Sequence, residues 1–484
     1  MRILVKYPTR GRPERAAQTL AALRTTLSGR HEVRFIVVVD EDDPAYADQV
    51  PCFAAAGLVE SSPGIAGVQR GTVIVRQRPL GCAPGKVAAC NAFTPPPESF
   101  DVLVMLSDDL IPAPGSFGWD ERIALDMERA FPNLDGCLWY LDGYQARLCT
   151  APVIGREWFR KMDPGGRVYP GCYRSEWCDN EIHEVAARRG RMHFTGRELF
   201  RHEHWSNTAA VKVDATYARA SIDAEGDPAL YRAREAAGFG WPEVLLSICI
   251  CSLHWRRETL GELLANLNAQ IAGMSAVASG AGPASGSRPE AASSPAALEP
   301  VQITLSPRMV EIVLEIDDGE ASIGIKRGRC LKRAIGRYVM FIDDDDRVAP
   351  DMVERLLGAL LKSPAEHSGA EADCAALRGV MLTDGTGPEP FEHTIAHAAW
   401  ASIEDAQGRV RHLRSPNHWN AVRIDHARAA GFPDRSWGED YEYSKRMIGK
   451  LKNEAGLGPR PIYGYRRRMI GESLSARLSA GRTG

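Results

Sequence analysis

Four carboxylates stand side by side at Asp343-Asp344-Asp345-Asp346, and a shorter acidic group stands at Ser107-Asp108-Asp109. Each ends an apolar run, Tyr338 to Ile342 in one case and Val102 to Leu106 in the other. Adjacent carboxylates repel unless a cation lies among them. A hard divalent cation on one or two carboxylates keeps sites for phosphate oxygens and neutralises a departing diphosphate. In an Asp-x-Asp arrangement one carboxylate ligates the metal, and the other holds its water or a ribose hydroxyl. Asp runs also begin turns. The turn is the favoured reading for Asp42-Asp43-Pro44, and the cation site for Asp343 to Asp346.

Transfer to a hydroxyl also needs a base on the opposite face. Downstream of each acidic group an aspartate heads a helix-like stretch, Asp440 in Gly438-Glu439-Asp440 and Asp179 in Cys178-Asp179-Asn180. Helix capping places a carboxylate at such positions too. The recurrence of the pair in both halves favours the base. After Asp179 comes His202-Glu203-His204, a His-x-His that is structural or a weak metal site when alone. No histidine follows Asp440.

The elements that would hold these groups are short aliphatic runs alternating with helices, the mark of buried parallel strands. Ile3 to Tyr7, Phe35 to Val39, Val73 to Val75 and Val102 to Leu106 form one series, and Leu245 to Ile250, Val310 to Leu314 and Tyr338 to Ile342 repeat it. Arg174 to Glu181 also resembles Arg435 to Glu442. Self-similarity in a fixed order predicts two homologous α/β domains, residues 1–241 and 242–484, each a mostly parallel sheet flanked by helices. Ligands of such sheets gather at the carboxyl ends of the strands, where every acidic group falls. Residues 273–300 are nearly all Ala, Ser, Gly and Pro, which predicts an inserted flexible surface loop.

The second half resembles glycosyltransferase family 2 in Ser247 to Arg256, Asp317-Asp318-Gly319, Ser322 to Arg327, Phe341 to Asp346 and Gly438-Glu439-Asp440. That resemblance implies a GT-A, Rossmann-like fold and an inverting transfer from a nucleotide-sugar, a UDP-sugar first, with Mn2+ or Mg2+. It makes Asp343 and Asp345 the Asp-x-Asp, with Asp345 on the metal. It makes Asp317 a nucleobase contact, Asp440 the base, and Ser252, Lys326 and Arg327 neighbours of the nucleotide. The first half is similar to more divergent members. There Pro8, Arg10 and Asp40 would line the nucleotide pocket, and Lys86 and Asn91 occupy the segment that matches Lys326 and Lys332-Arg333. Asp108 and Asp109 form a degenerate Asp-x-Asp, with Asp109, His202 and His204 on the metal. Ser107 and Cys178 depart from the family pattern.

The chain has 484 residues, 44% hydrophobic and 25% charged, as in an ordinary soluble protein of two or three domains. A formal charge of -3 argues against a protein that coats nucleic acid. The 11 cysteines are scattered and fit free thiols, Cys249 and Cys251 reading as small strand hydrophobes. With neither a signal-like N-terminus nor a membrane-length apolar stretch, a cytoplasmic protein is expected. The acceptor stays open among glycan, small molecule, protein and modified nucleic acid, as does a homodimer. Trp119, Trp139, Trp158, Trp205, Trp400 and Trp419 could stack on sugars or bases, with core packing the commoner role. Arg188-Arg189 and Arg466-Arg467-Arg468 are small basic clusters that solvated surface also explains. The readings in competition are a bifunctional enzyme with a transfer in each half, one active half beside a nucleotide-, glycan- or nucleic-acid-binding half, and a nucleotidyltransferase, for which Gly11-Arg12 is a poor loop.

Overall fold

The computed structural model describes residues 1–46, 71–163, 165–277, 305–366, 369–383, 388–404 and 406–467. The Ala/Ser/Gly/Pro stretch from 278 onward, and Arg468, lie outside the described residues. The chain divides into two compact units, Met1–Trp241 and Pro242–Gly484.

The first unit contains β1 (Arg2–Pro8), β2 (Glu32–Asp40), β3 (Thr72–Arg78), β4 (Val102–Met105), β5 (Leu110–Pro112), β6 (Cys137–Leu141), β7 (Val153–Gly155), β8 (Met192–Glu198) and β9 (Phe200–His202). Seven of them form one sheet in the order β3-β2-β1-β4-β7-β6-β8. β1 to β4 run parallel, and β7 enters antiparallel between β4 and β6. The apolar runs are continuous because both faces are covered. Val5, Val37 and Val104 pack on Leu20, Leu23, Trp119 and Ile123. Leu4, Val38 and Leu103 pack the other way, on Val87, Phe159 and Ile182. β5 and β9 pair off as a two-stranded antiparallel ribbon.

The second unit contains β10 (Leu246–Leu253), β11 (Val310–Asp317), β12 (Tyr338–Asp343), β13 (Arg347–Val348), β14 (Cys374–Ala375), β15 (Leu377–Thr383), β16 (Glu389–His393), β17 (Ala401–Glu404), β18 (Val410–Arg414), β19 (Val422–Arg423), β20 (Glu454–Ala455) and β21 (Tyr463–Arg467). Its first sheet, β11-β10-β12-β19-β14-β20, has the strand directions of β2-β1-β4-β7-β6-β8. The fold is mixed α/β, with a mainly parallel first sheet in each unit. Ile248, Ile312 and Met340 pack on Leu260, Leu264 and Leu356. Cys249 and Cys251 face the other layer as buried thiols. A second sheet, β13-β21-β15-β16-β18-β17, has no counterpart in the sequence expectations.

One close approach positions the segment that leads to Asp440 in the second unit. A Cβ on Gly324 would lie 1.9 Å from the Pro433 carbonyl oxygen and 3.1 Å from that of Arg435. The Gly324 amide donates to the Arg435 carbonyl at 3.1 Å, so the helix Ile323–Arg333 rests backbone to backbone on the segment leading to Asp440. Overpacking of this kind costs about 1–3 kcal/mol. Gly324→Ala is therefore expected to lower the melting temperature measurably in a thermal scan.

Candidate active site

In the first unit β1 and β4 lie side by side, with Lys6 opposite Met105, so their carboxyl ends open on one edge. Thr9, just past β1, donates its hydroxyl to Asp108 at 2.7 Å, and Arg12 binds the other oxygen at 3.1 Å. Burial, then the charge of Asp109, push Asp108 up to about 6 in spite of Arg12. Asp108 is thus turned inward and held by the chain. Asp109 faces the cleft. Ser107 donates to it at 2.5 Å and the Tyr217 hydroxyl at 3.1 Å. Burial opposes its charge, but His202, Ser107 and Lys86 outweigh burial and hold it well below the usual carboxylate range.

The β5–β9 ribbon delivers the histidine, since Leu110 pairs with His202. His202 Nε2 lies 3.6 Å from Asp109 Oδ2, beyond hydrogen-bond reach. His202 Nδ1 is buried without a hydrogen-bond partner. The His204 Nδ1 meets the Ser206 hydroxyl at 2.7 Å, and burial with the neighbouring His202 push that ring down to about 4. Asp40 sits opposite Arg78 in the β2–β3 register and is clamped by Arg78 at 2.6 Å and Arg10 at 2.7 Å. Asp43 accepts the amides of Gly11 at 2.6 Å and Ala45 at 3.1 Å, which is the turn expected of Asp42-Asp43-Pro44.

Asp179 enters the same edge from the helix Cys178–Arg188. Trp177 just before it has φ 66°, left-handed backbone that is uncommon outside glycine. Gly438 has the same hand, φ 73°, ahead of the helix Glu439–Met447, and neither helix carries a side-chain cap. The loop into Asp179 is anchored by Asp227, which accepts the Ser175 amide at 2.8 Å and the Glu176 amide at 2.9 Å. Burial pushes the Asp179 carboxyl up, with Lys86 pulling the other way. Lys86 reaches deep into the cleft yet stays solvent-accessible. A cavity of about 730 Å³ holds Lys86, Ser107, Asp179, His202 and His204 on its wall. A recess of about 140 Å³ adjoins it between Arg10, Asp40, Asp109, Trp205 and Tyr217, and Pro8, Lys86, Ser107 and His204 line both.

The second unit fills the same frame differently. Ser252 takes the part of Thr9 and donates to Asp344 at 2.5 Å. Arg256 binds Asp344 at 2.7 Å with one nitrogen and Asp345 at 2.6 Å with the other. Burial pushes Asp344 up to about 6 against that arginine. Arg327 bridges Asp343 at 2.7 Å and Glu439 at 2.5 Å. Asp346 accepts the Tyr463 hydroxyl at 2.7 Å and the Arg466 amide at 3.0 Å. The repulsion expected to need a cation among these four carboxylates is relieved from within the chain, by Arg256, Arg327 and Tyr463.

Lys326 is buried, with Nζ 2.7 Å from Asp317 and 2.9 Å from the Ser252 carbonyl. It does not share the open setting of Lys86, so the sequence equivalence of the two lysines fails in their surroundings. His418 was missed by the sequence reading. Its Nε2 lies 3.0 Å from Arg327 Nη2, and a guanidinium only donates, so the ring proton belongs on Nδ1. That Nδ1 faces Asp440 at 4.0 Å.

The structure thus brings Pro8, Arg10, Asp40, Lys86, Asp108, Asp109, Asp179, His202 and His204 around one cleft, with Asp108 held there by Thr9 and Arg12. Ser252, Asp343, Asp345 and Arg327 gather at the other strand end. Asn91 is not part of a site, since it pairs with the Tyr169 backbone at 2.8 and 2.9 Å. Trp119 and Trp158 belong to the core, while Trp205 lines the recess. Arg188 pairs with Glu184 and Glu235, and Arg189 lies over the Trp241 ring at 4.5 Å, so that basic cluster is engaged within the chain. Tyr217, Arg12 and Arg256 entered unforeseen as carboxylate partners, because spacing alone cannot show which acid an arginine reaches.

Residues 318–374 match the sequence profile described as glycosyl transferase family 2. The matched stretch spans Lys326, Arg327 and Asp343 to Asp346, so this part of the chain is family 2-like. No curated protein matches the chain. Among solved structures it is similar to S. aureus TarS 1–349 in complex with UDP-GlcNAc, at 15% identity and TM-score 0.29, over 48% of this chain and 61% of that one. S. aureus TarS itself aligns at 14% identity and TM-score 0.27, over 46% of this chain and 37% of that one. The glycosyltransferase GlyE of Streptococcus pneumoniae TIGR4 aligns at 10% identity and TM-score 0.26, over 74% and 89%. The chain spans less than two thirds of the TarS chains.

Proposed function

We propose that this chain is a glycosyltransferase that moves a sugar from a nucleotide-sugar, a UDP-sugar first, to an acceptor hydroxyl, with its chemistry in the first of two tandem GT-A-type units. One observation carries the reading. A single cleft gathers an ionised carboxylate beside an imidazole (Asp109, His202), an accessible cation (Lys86) and a second carboxylate on another wall (Asp179).

Asp109 and His202 suit a divalent ion, an oxygen and a nitrogen donor facing one another across 3.6 Å. Among the described residues no group of three or more His, Cys, Asp or Glu side chains forms a complete metal cage. Two protein donors are what Mn2+ or Mg2+ needs when phosphate and water fill the remaining positions. When bound, the ion neutralises charge on the departing diphosphate. Lys86 adds a cation to the same phosphates, and Arg10 and Asp40 bound the recess for the nucleotide. Asp179 takes the acceptor proton as the hydroxyl attacks the anomeric carbon from the opposite face, which inverts it. The acceptor side is polar, with Asp142, Gln145, Arg147, Asn180 and His183, and this favours a polyhydroxylated glycan. Among the described residues no helix is long and apolar enough to cross a membrane.

A panel of UDP-, GDP-, CMP- and dTDP-sugars tests this directly. Metal-dependent release of the nucleoside diphosphate (CMP from a CMP-sugar) supports it, and turnover that instead consumes added pyrophosphate to give a nucleoside triphosphate and a sugar 1-phosphate would indicate a nucleotidyltransferase. The base also predicts a pH profile. Asp179 works deprotonated, and burial raises its pKa, so the acid limb of kcat should lie above the ordinary Asp value of about 4. Lys86 favours the charged form, so Lys86→Met should move that limb to still higher pH. A limb unmoved by Lys86→Met would count against Asp179 as base.

A further inference from the structure

We infer that Arg256 occupies, in the second unit, the place a divalent cation would take, so that the chain binds one cation and binds it in the first unit. This rests on the reading of Asp109 and His202 above. The strand registers fix the correspondence, since Ile3 pairs with Val102 and Leu246 with Tyr338. Counted from those pairs, Asp109 and Asp345 hold the same place, as do Asp108 and Asp344, each bound by the hydroxyl that follows the first strand.

The difference lies in the arginines that follow, of which Arg10 pairs with Asp40 and Asp42. Arg12 binds Asp108 at 3.1 Å and spends its remaining nitrogens on Asp214, both at 2.7 Å, so Asp109 stays turned to His202. Arg256 instead forms ion pairs with both Asp344 and Asp345, at 2.7 and 2.6 Å, the second of them outside hydrogen-bond geometry. The imidazole is replaced as well. Arg201 pairs with Ile111 and Gly464 with Arg347, and the next residue along is His202 in one unit and Tyr465 in the other. A cation at Asp345 would have to displace a guanidinium whose charge already neutralises that carboxylate, and the one imidazole beside the cluster, His418 at 3.6 Å from Asp343, already turns its Nε2 to Arg327 at 3.0 Å. The residues of the second unit therefore do not fit the metal that the family resemblance implies.

Mn2+ binding to the full chain, measured by titration calorimetry and by the free-ion EPR signal, tests this without reference to turnover. Wild type is expected to bind one Mn2+, Asp109→Asn to lose it, and Asp345→Asn to keep it with unchanged Kd. Arg256→Gln is expected to gain a second site, which Arg256→Gln with Asp345→Asn loses again. Arg256→Lys, which keeps the charge, is expected to gain none. Two sites in wild type, or one that Asp345→Asn abolishes, overturns the inference, as does Arg256→Gln that folds and gains nothing. No Mn2+ in wild type with one in Arg256→Gln would refute the first-unit metal reading and leave the role of Arg256 standing.

Discussion

Asp179→Asn is expected to lower kcat for sugar transfer by about 10²- to 10⁴-fold, the range a positioned general base supplies. Donor KM and melting temperature should barely move. The substitution keeps the shape of the side chain and an Oδ1 that can still accept the Asn180 amide, as the carboxylate does at 3.0 Å. The turn before it is set by Trp177 and by the Asp227 anchor on the Ser175 and Glu176 amides. A carboxylate that only stabilised the helix start would give the opposite pattern, a loss of up to about 1 kcal/mol in stability with kcat intact. Asp440→Asn serves as the comparison. With the chemistry in the first unit, transfer should survive it. Steady-state kinetics on the two variants, with melting curves alongside, separates the roles.

Asp109→Asn is expected to reduce Mn2+-dependent donor binding to the level seen with chelator and to cut turnover by about 10²- to 10³-fold, in line with several kcal/mol of charge stabilisation. Asparagine keeps an oxygen but not the charge. Asp109 is a carboxylate that its neighbours hold ionised despite burial, so that charge is the feature the site has been built to keep. The contacts from Ser107 and Tyr217 survive the change in altered form, so the fold should persist. His202→Ala should weaken metal affinity by about 10- to 100-fold and leave donor binding in chelator untouched. Donor titrations with and without Mn2+ read both effects.

Much of this site is legible in the residues before any coordinates. The strands declare themselves because both faces of each sheet are covered, which leaves unbroken aliphatic runs such as Val37 to Val39 and Met340 to Ile342. The acidic strand ends follow, and His202 could be named because it comes in order after Asp179. The order of motifs does not say which carboxylates face a cleft. Four adjacent aspartates look like a cation site until Arg256, Arg327 and Tyr463 arrive from distant parts of the chain to bind them. Lys86 and Lys326 align in sequence, yet one reaches into a cavity and the other lies buried against Asp317. Trp177 shows a further gap: Gly438 announces a left-handed turn, and a tryptophan in the same conformation does not. The second sheet of the second unit escaped for another reason. β16 and β18 carry Glu392 and Arg411 on a partly solvated face and the buried His393 and His412 among the inward positions, so they lack the apolar runs that marked the core strands.

The most direct measurement is nucleotide release from the preferred UDP-sugar, with Mn2+ or with chelator, by wild type, Asp109→Asn and Asp345→Asn. Slow Mn2+-dependent release that Asp109→Asn abolishes and Asp345→Asn retains is the predicted result. Release that survives Asp109→Asn and disappears in Asp345→Asn would place the chemistry in the second unit and contradict the proposal.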